Sequence, residues 1–298
     1  MDAIASGALT VYRFMAMGGP ASLQLPGPRT AQTDAMAQSA VDEVLRIEAK
    51  YSRYRADSLL SRINAGAGDR PLPCDEETFN LLRFADHLWH VTAGRFDATS
   101  GIYRRAWNFR SGLVPTPAQV EALRPLVDWR AVEWDTQGVR LSMAGMELDF
   151  GGFCKEYAAD RAAGVLRAAG LAHALVELGG DVVAVGRRPD DKPWQIGVRH
   201  PREQGRLLAT VPLDNCALAT SGDYERFIET PSARYCHVLD AHTGWPVRHW
   251  QSVSVVAATC LAAGAATTSV MLMAAESRIA IEAGRLHGLF VDFNGTVV

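Results

Sequence analysis

The spacing of hydrophobic and polar residues predicts a chain of both helices and strands. Apolar residues recur at helical spacing over residues 34–50, with Thr33 or Asp34 as the cap, and over residues 76–92. Further helices are predicted from Lys155 to Gly170, from about 260, and around 277–286. Short apolar or alternating runs predict strands at 174–178, 182–186, 194–199, 207–213, 217–220, 235–239, 252–258 and 288–293, and the segment GMELDFGG predicts one more. Strands clustered apart from helices indicate an α+β fold rather than a doubly wound sheet.

Two stretches depart from these regular patterns. Residues 252–275 carry no charge and are long enough to span a bilayer. They begin with strand-like alternation, continue with Ala, Thr and Ser, and lack an aromatic belt, so a strand followed by a buried helix is predicted instead of a membrane span. Residues 102–138 are rich in Trp, Phe and Pro without clear periodicity. They predict a small irregular lobe within a single domain that covers residues 1–298.

Composition and charge narrow the class of protein. The 298 residues include 30 basic and 33 acidic side chains, and the net charge of −3 excludes a globally basic nucleic-acid binder. Five scattered cysteines without a C-x-x-C spacing favour a reducing compartment over a disulfide framework or a zinc site. The first residues have no basic segment before an apolar run, so no signal peptide is expected and the predicted location is cytoplasmic.

Two segments combine glycine with charged groups that suit a ligand. In Asp149-Phe-Gly-Gly-Phe-Cys-Lys155 a carboxylate and a glycine pair precede a helix, whose free N–H groups and lysine suit a phosphate. A tight turn is the alternative interpretation. In Gly94-Arg-Phe-Asp-Ala-Thr99 the aromatic Phe96 could stack on a flat ring while Asp97 accepts hydrogen bonds, or Phe96 could simply belong to the core.

Two later segments carry hydroxyl groups and a histidine. Thr220-Ser-Gly-Asp-Tyr224 follows a strand and is either a ligand-binding turn or a capped loop. His237 precedes a polar turn that ends at Gly244, and its imidazole could act as a base near neutral pH or have a structural role. The remaining histidines lack metal-ligand spacing, so a histidine-bound metal is not expected.

Taken together, the order of these motifs resembles the ApbE family of FAD:protein FMN transferases over nearly the whole chain. The matching segments are Met17-Gly18-Gly19, Ser52-Arg53-Tyr54, Ser58 with Ser61 and Asn64, Gly94–Thr99, Asp149–Asp160, Glu177–Asp181, Thr220–Tyr224 and His237–Pro246. The resemblance implies an ApbE or T-fold-like architecture of mostly antiparallel sheets with segregated helices. It also implies transfer of FMN from FAD to a Thr or Ser hydroxyl of an acceptor protein, with release of AMP and use of a divalent cation, usually Mg²⁺.

The resemblance assigns roles to individual residues. His237 would take the proton of the acceptor hydroxyl, and Lys155 with the helix N-terminus would hold the pyrophosphate. The backbone carbonyl near Gly152 and the Thr268 hydroxyl would bind the metal. The FAD site would include Met17, Tyr54, Arg95, Phe96, Asp97, Asp149, Lys155, Thr220, Ser221, Gly222 and Leu239.

Departures from the family pattern concentrate at the metal site. Gly264 replaces an Asp that ligates the metal, Thr267 replaces a second Asp, and Glu156 replaces the Gly that follows the lysine; Ala241 also replaces a Pro. Because Mg²⁺ is usually held by carboxylates together with phosphate, these changes predict a weak metal site, and Gly264→Asp is expected to strengthen it. They also leave open a non-catalytic FAD-binding relative, such as a flavin carrier or pseudoenzyme, or a paralogue that binds no flavin.

Overall fold

The computed structural model describes residues 1–298, apart from the side chain of Ala275. Its helices are α1 (Ala31–Tyr51), α2 (Leu59–Ala65), α3 (Glu76–Val91), α4 (Pro117–Glu121), α5 (Cys154–Ala168), α6 (Cys260–Leu272) and α7 (Ala274–Glu282), with 3₁₀ turns at Ala98–Arg105, Arg124–Leu126 and Trp129–Ala131. Its strands are β1 (Asp2–Ser6), β2 (Leu9–Ala16), β3 (Gly19–Pro26), β4 (Leu72–Pro73), β5 (Val132–Trp134), β6 (Gly138–Leu141), β7 (Ala174–Leu178), β8 (Asp181–Val185), β9 (Trp194–Arg199), β10 (Leu207–Leu213), β11 (Ala217–Gly222), β12 (Phe227–Thr230), β13 (Ala233–Cys236), β14 (Leu239–Asp240), β15 (Trp245–Pro246), β16 (Trp250–Ala257) and β17 (Gly288–Asp292).

An eight-stranded sheet in the order β1-β2-β3-β7-β8-β11-β16-β17 forms the centre of the fold, and every neighbouring pair in it is antiparallel. Alternate side chains of each strand face opposite sides. Val176 and Val183 join the large core formed with α1, α5 and α6. Leu175 and Val182 face the other side, where the β9–β10 hairpin covers a smaller apolar cluster. The α+β expectation is therefore confirmed.

Most predicted elements are confirmed, and the differences have local causes. Helix α1 begins earlier than predicted, because Thr30 is the N-cap and Thr33 completes its capping box. The predicted strand before the glycine pair is wrong. This segment pairs with no strand in the described chain, and the Asn64 side chain bonds both the carbonyl oxygen (2.9 Å) and the N–H (2.7 Å) of Leu148 instead. The strand predicted over 235–239 is divided between β13 and β14.

The uncharged stretch over 252–275 forms strand β16 and helix α6, as predicted. Cys260, Ala263 and Met271 of α6 are fully buried against the sheet and α5. Among the described residues, none of the helices combines the length and the apolar character that a bilayer crossing requires.

The aromatic-rich stretch forms its own small cluster beside the main core. Trp107 stacks on Phe109 at 5.7 Å between ring centroids and meets Trp245 edge-on at 5.2 Å. The Trp107 indole N–H donates to the carbonyl oxygen of Gly244 (2.7 Å), and the Tyr103 hydroxyl donates to that of Ala241 (3.1 Å). This packing ties the aromatic stretch to the segment that follows His237.

The antiparallel order of the sheet places several turns at one end. The β2–β3 turn at 16–19 and the β7–β8 turn at 178–181 lie there, together with the end of β11 at 220–222 and the start of β16 at 250–252. Neighbouring strands keep these turns in contact: the N–H of Gly179 donates to the Pro20 carbonyl (3.1 Å). Motifs that are far apart in sequence are therefore neighbours at this end of the sheet.

Candidate functional site

Lys155 lies at the start of α5, against the glycine turn of the β7–β8 hairpin. A Cβ added to Gly179 would lie 3.5 Å from the Lys155 side chain. The Lys155 ammonium forms a salt bridge with Asp181, whose other carboxylate oxygen accepts the backbone N–H of Thr220 at 3.0 Å. Burial disfavours the charge on Lys155, but the neighbouring Glu156 and Asp181 outweigh it and raise the lysine pKa. Lys155 is thus a fixed cation at the sheet end.

Helices α5 and α6 pack antiparallel with a defined register. The Asp160 carboxylate caps the start of α6 by accepting the N–H groups of Cys260 and Leu261, both at 2.8 Å. One turn earlier on α5 and one turn later on α6, Glu156 meets Gly264. The Asp160 cap therefore sets which residues of the two helices face each other.

The space beside Gly264 is occupied by a side chain of α5. A Cβ built there would lie 2.5 Å from Cγ, 2.9 Å from Cδ and 3.0 Å from Oε1 of Glu156. The expectation that Gly264→Asp alone strengthens the metal site stays a prediction, and the structure adds a condition to it: the new side chain would overlap with Glu156 unless Glu156 moves. The carboxylate of Glu156 already fills this volume.

Glu156 is a buried carboxylate with few partners. Its Oε1 lies 3.7 Å from the Lys155 ammonium, while its Oε2 is buried without a hydrogen-bond partner among the described residues. Burial raises the pKa of Glu156 to about 8, and Asp181 adds to this rise against the lowering effect of Lys155. An orphaned carboxylate oxygen of this kind fits a cation that the protein alone does not supply.

The hydroxyl residues of β11 connect the sheet to α6. Ser221 Oγ and Thr267 Oγ1 are 2.9 Å apart, and the Thr267 hydroxyl also donates to the Gly264 carbonyl at 2.9 Å. Thr220 Oγ1 pairs with Ser254 at 2.8 Å. Thr268 is half-buried and lies one turn beyond Gly264 on the same face of α6. Across the described chain, no group of three or more His, Cys, Asp or Glu residues could hold a metal by itself.

His237 lies near the β2–β3 turn. Its backbone N–H donates to the Arg226 carbonyl (3.0 Å), which also lies 3.3 Å from its Nδ1. A carbonyl cannot donate, so Nδ1 carries the proton and Nε2 is left as an acceptor. His237 as a residue is exposed at the surface. Desolvation of its ring by the surrounding protein, together with the charges of Arg226 and Lys155, lowers its pKa to about 4. The imidazole is therefore neutral near pH 7.

Asp149 and Phe96 flank the glycine pair before α5. The Asp149 carboxylate accepts the Gly151 N–H at 2.9 Å and forms a 2.7 Å salt bridge with Arg53. Arg53 in turn lies over the ring of Tyr54, which is 75% exposed and free to contact a planar ligand. The edge of Phe96 packs on Gly152, where an added Cβ would approach it to 2.8 Å.

Asp97 is predicted to contact FAD, and both oxygens of its carboxylate already accept hydrogen bonds inside the protein. Its Oδ1 accepts the Thr99 N–H at 2.7 Å and the Thr99 hydroxyl at 2.6 Å, and its Oδ2 accepts the Trp129 N–H at 2.9 Å. Only 5% of Asp97 is exposed. Its carboxylate is committed to capping the 3₁₀ turn and holding the aromatic stretch.

Three other predicted residues lie on neighbouring segments. Arg95 pairs with Asp240 at 2.6 Å, which joins the Gly94–Thr99 segment to the segment after His237. Leu239 is half-buried beside the aromatic cluster. Met17 adopts a positive φ of 54° in the β2–β3 turn, and a Cβ on the adjacent Gly18 would lie 3.8 Å from Arg226.

Sequence reasoning left three residues of this region without a role in the site. Arg53 and Asp181 stand inside motifs that were recognised, so their position between assigned residues was the available signal. Glu156 is recognised from the sequence only as the residue that replaces the Gly following the lysine in the family pattern. Its contact with Gly264 depends on the α5–α6 register, which no local pattern reveals.

Comparison with known proteins gives a consistent result. The family model described as "ApbE family" matches residues 17–290. A protein named FAD:protein FMN transferase from Treponema pallidum is 32% identical over 83% of this chain and 75% of its own length, and one from Vibrio cholerae is 28% identical over 90% and 82%. The crystal structure of an ApbE protein from Thermotoga maritima superposes with a TM-score of 0.88 at 29% identity, covering 97% of this chain and 96% of that one. The flavin transferase ApbE from Vibrio cholerae gives 0.84 at 25% identity, covering 95% and 94%.

Proposed function

This chain belongs to the ApbE family, and on that premise we propose that it is an FAD:protein FMN transferase. Its substrates are FAD and a protein that presents a Thr or Ser hydroxyl. One observation carries the proposal: the family's motifs, separated along the sequence, converge at one end of the sheet around Lys155, Asp181 and Thr220. His237 is bonded to Arg226, which lies beside Gly18 of the β2–β3 turn at that end. This arrangement supports a site with a cation, a hydroxyl-rich strand end and a neutral imidazole.

The reaction is a phosphoryl transfer. The acceptor oxygen forms a bond to the phosphorus of the FMN half, the bond from that phosphorus to the bridging oxygen breaks, and AMP leaves with that oxygen. The hydroxyl proton passes to Nε2 of His237, the acceptor position left by the Nδ1 bond to Arg226. A low pKa keeps the imidazole neutral and able to accept a proton, and the negative pyrophosphate would raise this pKa when FAD binds.

Binding of the pyrophosphate falls to the start of α5. No side chain of the described chain caps this helix at Phe153, and the N–H of Cys154 donates to the Phe150 carbonyl (2.8 Å), so the positive dipole end and the N–H groups that follow Cys154 are the elements proposed to bind the pyrophosphate. Lys155 adds a full charge beside them and is held in place by Asp181. Positioning and charge neutralisation are the main contributions that a protein makes to phosphoryl transfer.

A divalent cation fits the space between α5 and α6. The Gly152 carbonyl and the Thr268 hydroxyl would contribute ligands, and the FAD phosphates would complete the coordination, as is usual for Mg²⁺. When bound, the cation neutralises negative charge on the pyrophosphate. The orphaned Oε2 of Glu156 is the observation that makes this space suitable for a cation.

The flavin and ribityl portions are assigned to the side where Tyr54, Asp149 and Phe96 lie. Tyr54 offers an exposed ring for stacking, and Arg53 fixes Asp149 beside it. Met17, Arg95, Ser221, Gly222 and Leu239 complete the proposed site. Asp97 acts as a positioning residue, because its carboxylate is used inside the protein.

Incubation with FAD, Mg²⁺ and an acceptor peptide that contains one Thr tests the proposal. We expect the peptide mass to increase by one FMN, with release of AMP, and no increase for the matched peptide with Val in place of Thr. FAD binding without transfer would support the non-catalytic flavin carrier instead. A chain that does not bind FAD would overturn both interpretations.

A further inference from the structure

Glu156 and Gly264 form a complementary pair across the α5–α6 interface. The carboxylate of one residue fills the volume that a side chain on the other would need, since a Cβ at 264 would lie 2.5 Å from Glu156 Cγ. Only 8% of Glu156 is exposed, and the aliphatic part of its side chain is held against the glycine. At this level of the interface the carboxylate therefore comes from α5, and α6 contributes none.

Charge around this carboxylate is not balanced by the protein. Two carboxylates, Glu156 and Asp181, share the ammonium of Lys155. Asp181 also accepts the Thr220 N–H, whereas Oε2 of Glu156 has no partner within the described residues. A buried carboxylate oxygen without a donor is costly, and a bound cation would remove that cost.

Neutral oxygen groups lie at the adjacent level of the two helices. Because Asp160 meets Cys260 and Glu156 meets Gly264, the same antiparallel register brings Thr268 of α6 to the level at which α5 begins, just after Gly152. The hydroxyl of Thr267 is already used by Ser221 and the Gly264 carbonyl, so it braces α6 rather than facing a ligand. One carboxylate with neutral oxygens is a donor set that suits a hard divalent cation completed by phosphate.

We propose that Glu156 on α5 supplies the carboxylate ligand for the divalent cation of this protein, and that Gly264 on α6 provides the space that this carboxylate requires. The inference rests on the proposed function for the identity of the cation. It replaces the expectation of a weak metal site, because the carboxylate missing from position 264 is supplied by position 156.

Metal titration of the whole protein tests this inference without measuring transfer. Mn²⁺, followed by the loss of its free electron paramagnetic resonance signal, is titrated with and without FAD, and Mg²⁺ is titrated by calorimetry. We expect Glu156→Gln to weaken metal binding by about tenfold or more, since it removes the ligand charge but preserves shape. The matched control is Glu77→Gln, a carboxylate that contacts α5 through Tyr157 and should leave metal affinity unchanged.

A second variant moves the carboxylate between helices. Glu156→Gly combined with Gly264→Asp removes the overlap and is expected to bind Mn²⁺ more tightly than Glu156→Gly alone. Unchanged affinity in a folded Glu156→Gln variant, or absence of Mn²⁺ binding by the parent protein with FAD present, would overturn the inference. If the parent protein transfers FMN but Glu156→Gln leaves the metal affinity unchanged, only this inference is rejected. If metal binding is tight and depends on Glu156 but no FMN is transferred, only the proposed function is rejected.

Discussion

Two carboxylates at α5 have opposite environments: Glu77 contacts this helix through Tyr157, and Glu156 belongs to the helix itself. Glu77 accepts hydrogen bonds from Arg46 (2.6 Å), Lys50 (2.7 Å) and the Tyr157 hydroxyl (3.0 Å). Burial alone would raise its pKa, but these donors outweigh burial and lower it to about 2. Glu156 shares one ammonium with Asp181, and burial raises its pKa to about 8. One carboxylate is saturated by the protein, and the other is not.

This difference separates groups that hold the fold from groups that are left for a ligand. The partners of Glu77 tie α1, α3 and α5 together, so its charge is part of the packing of three helices. Glu156 keeps a buried carboxylate oxygen without a partner among the described residues, its neighbour Lys155 shares one ammonium between two carboxylates, and His237 is exposed at the surface. We expect substitutions in the first group to change stability and those in the second to change binding or rate.

The largest expected effect is on the rate of transfer. His237→Ala should slow FMN transfer by roughly 10²–10⁴-fold, because the acceptor proton loses its base, while FAD affinity changes little. His173 is the matched control, since its Nδ1 also contacts a backbone carbonyl, that of Arg187 at 2.8 Å. Single-turnover mass measurements give both rates. Transfer at the parent rate by His237→Ala would remove this residue from the mechanism.

Removal of the Lys155 ammonium should weaken FAD binding. Lys155→Ala is expected to cost about 1.5–3 kcal/mol of FAD binding free energy, the contribution of a charge-assisted hydrogen bond. Lys50→Ala removes a lysine that pairs with Glu77 and Asp75 instead, and it should leave FAD affinity unchanged. Titration of flavin fluorescence measures both. Equal FAD affinities for the two variants would contradict the separation between groups that hold the fold and groups that are left for a ligand.

The free energy of unfolding should respond to substitution at Glu77 but not, to a comparable extent, at Glu156. Glu77→Gln is expected to lower the free energy of unfolding by about 1.5–3 kcal/mol, because three donors lose a charged acceptor. Glu156→Gln should cause no comparable loss in the absence of metal, because Oε2 of Glu156 has no hydrogen-bond partner among the described residues to lose. Urea denaturation of both variants decides the point. A larger loss for Glu156→Gln would show that this carboxylate supports the fold.

The smallest predicted effect is a pH dependence that belongs to Glu77. Its folded-state pKa of about 2 lies below the ordinary value of 4.5, so the unfolded chain takes up the proton first. The stabilisation is therefore complete above about 4.5 and is lost as the pH falls toward 2. Unfolding of the parent and of Glu77→Gln is compared across this range. We expect their stabilities to converge as the pH falls, and a constant difference would refute the assignment.

Local sequence patterns located the longer helices and most strands after Leu148, but they did not predict β1, β2 and β3 of the central sheet. The 3.6-residue period located α3, Gly170 marked the end of α5, and the apolar runs around Gly179 and Gly180 located the β7–β8 hairpin. The segment ending at Leu148 was misassigned because its backbone partner is the side chain of Asn64, which lies far away in the sequence. Strand patterns report an extended backbone, but they do not report what that backbone pairs with.

The sequence by itself determined the α+β class, the order of the motifs and the set of charged residues at the site. Only the tertiary structure decided how those charges are used. In the folded chain the Asp97 carboxylate accepts the Thr99 and Trp129 N–H groups, and Glu156 lies in the space left by Gly264. Spacing and propensity act within a few turns, whereas the partner of a buried carboxylate depends on which helices pack together and in what register.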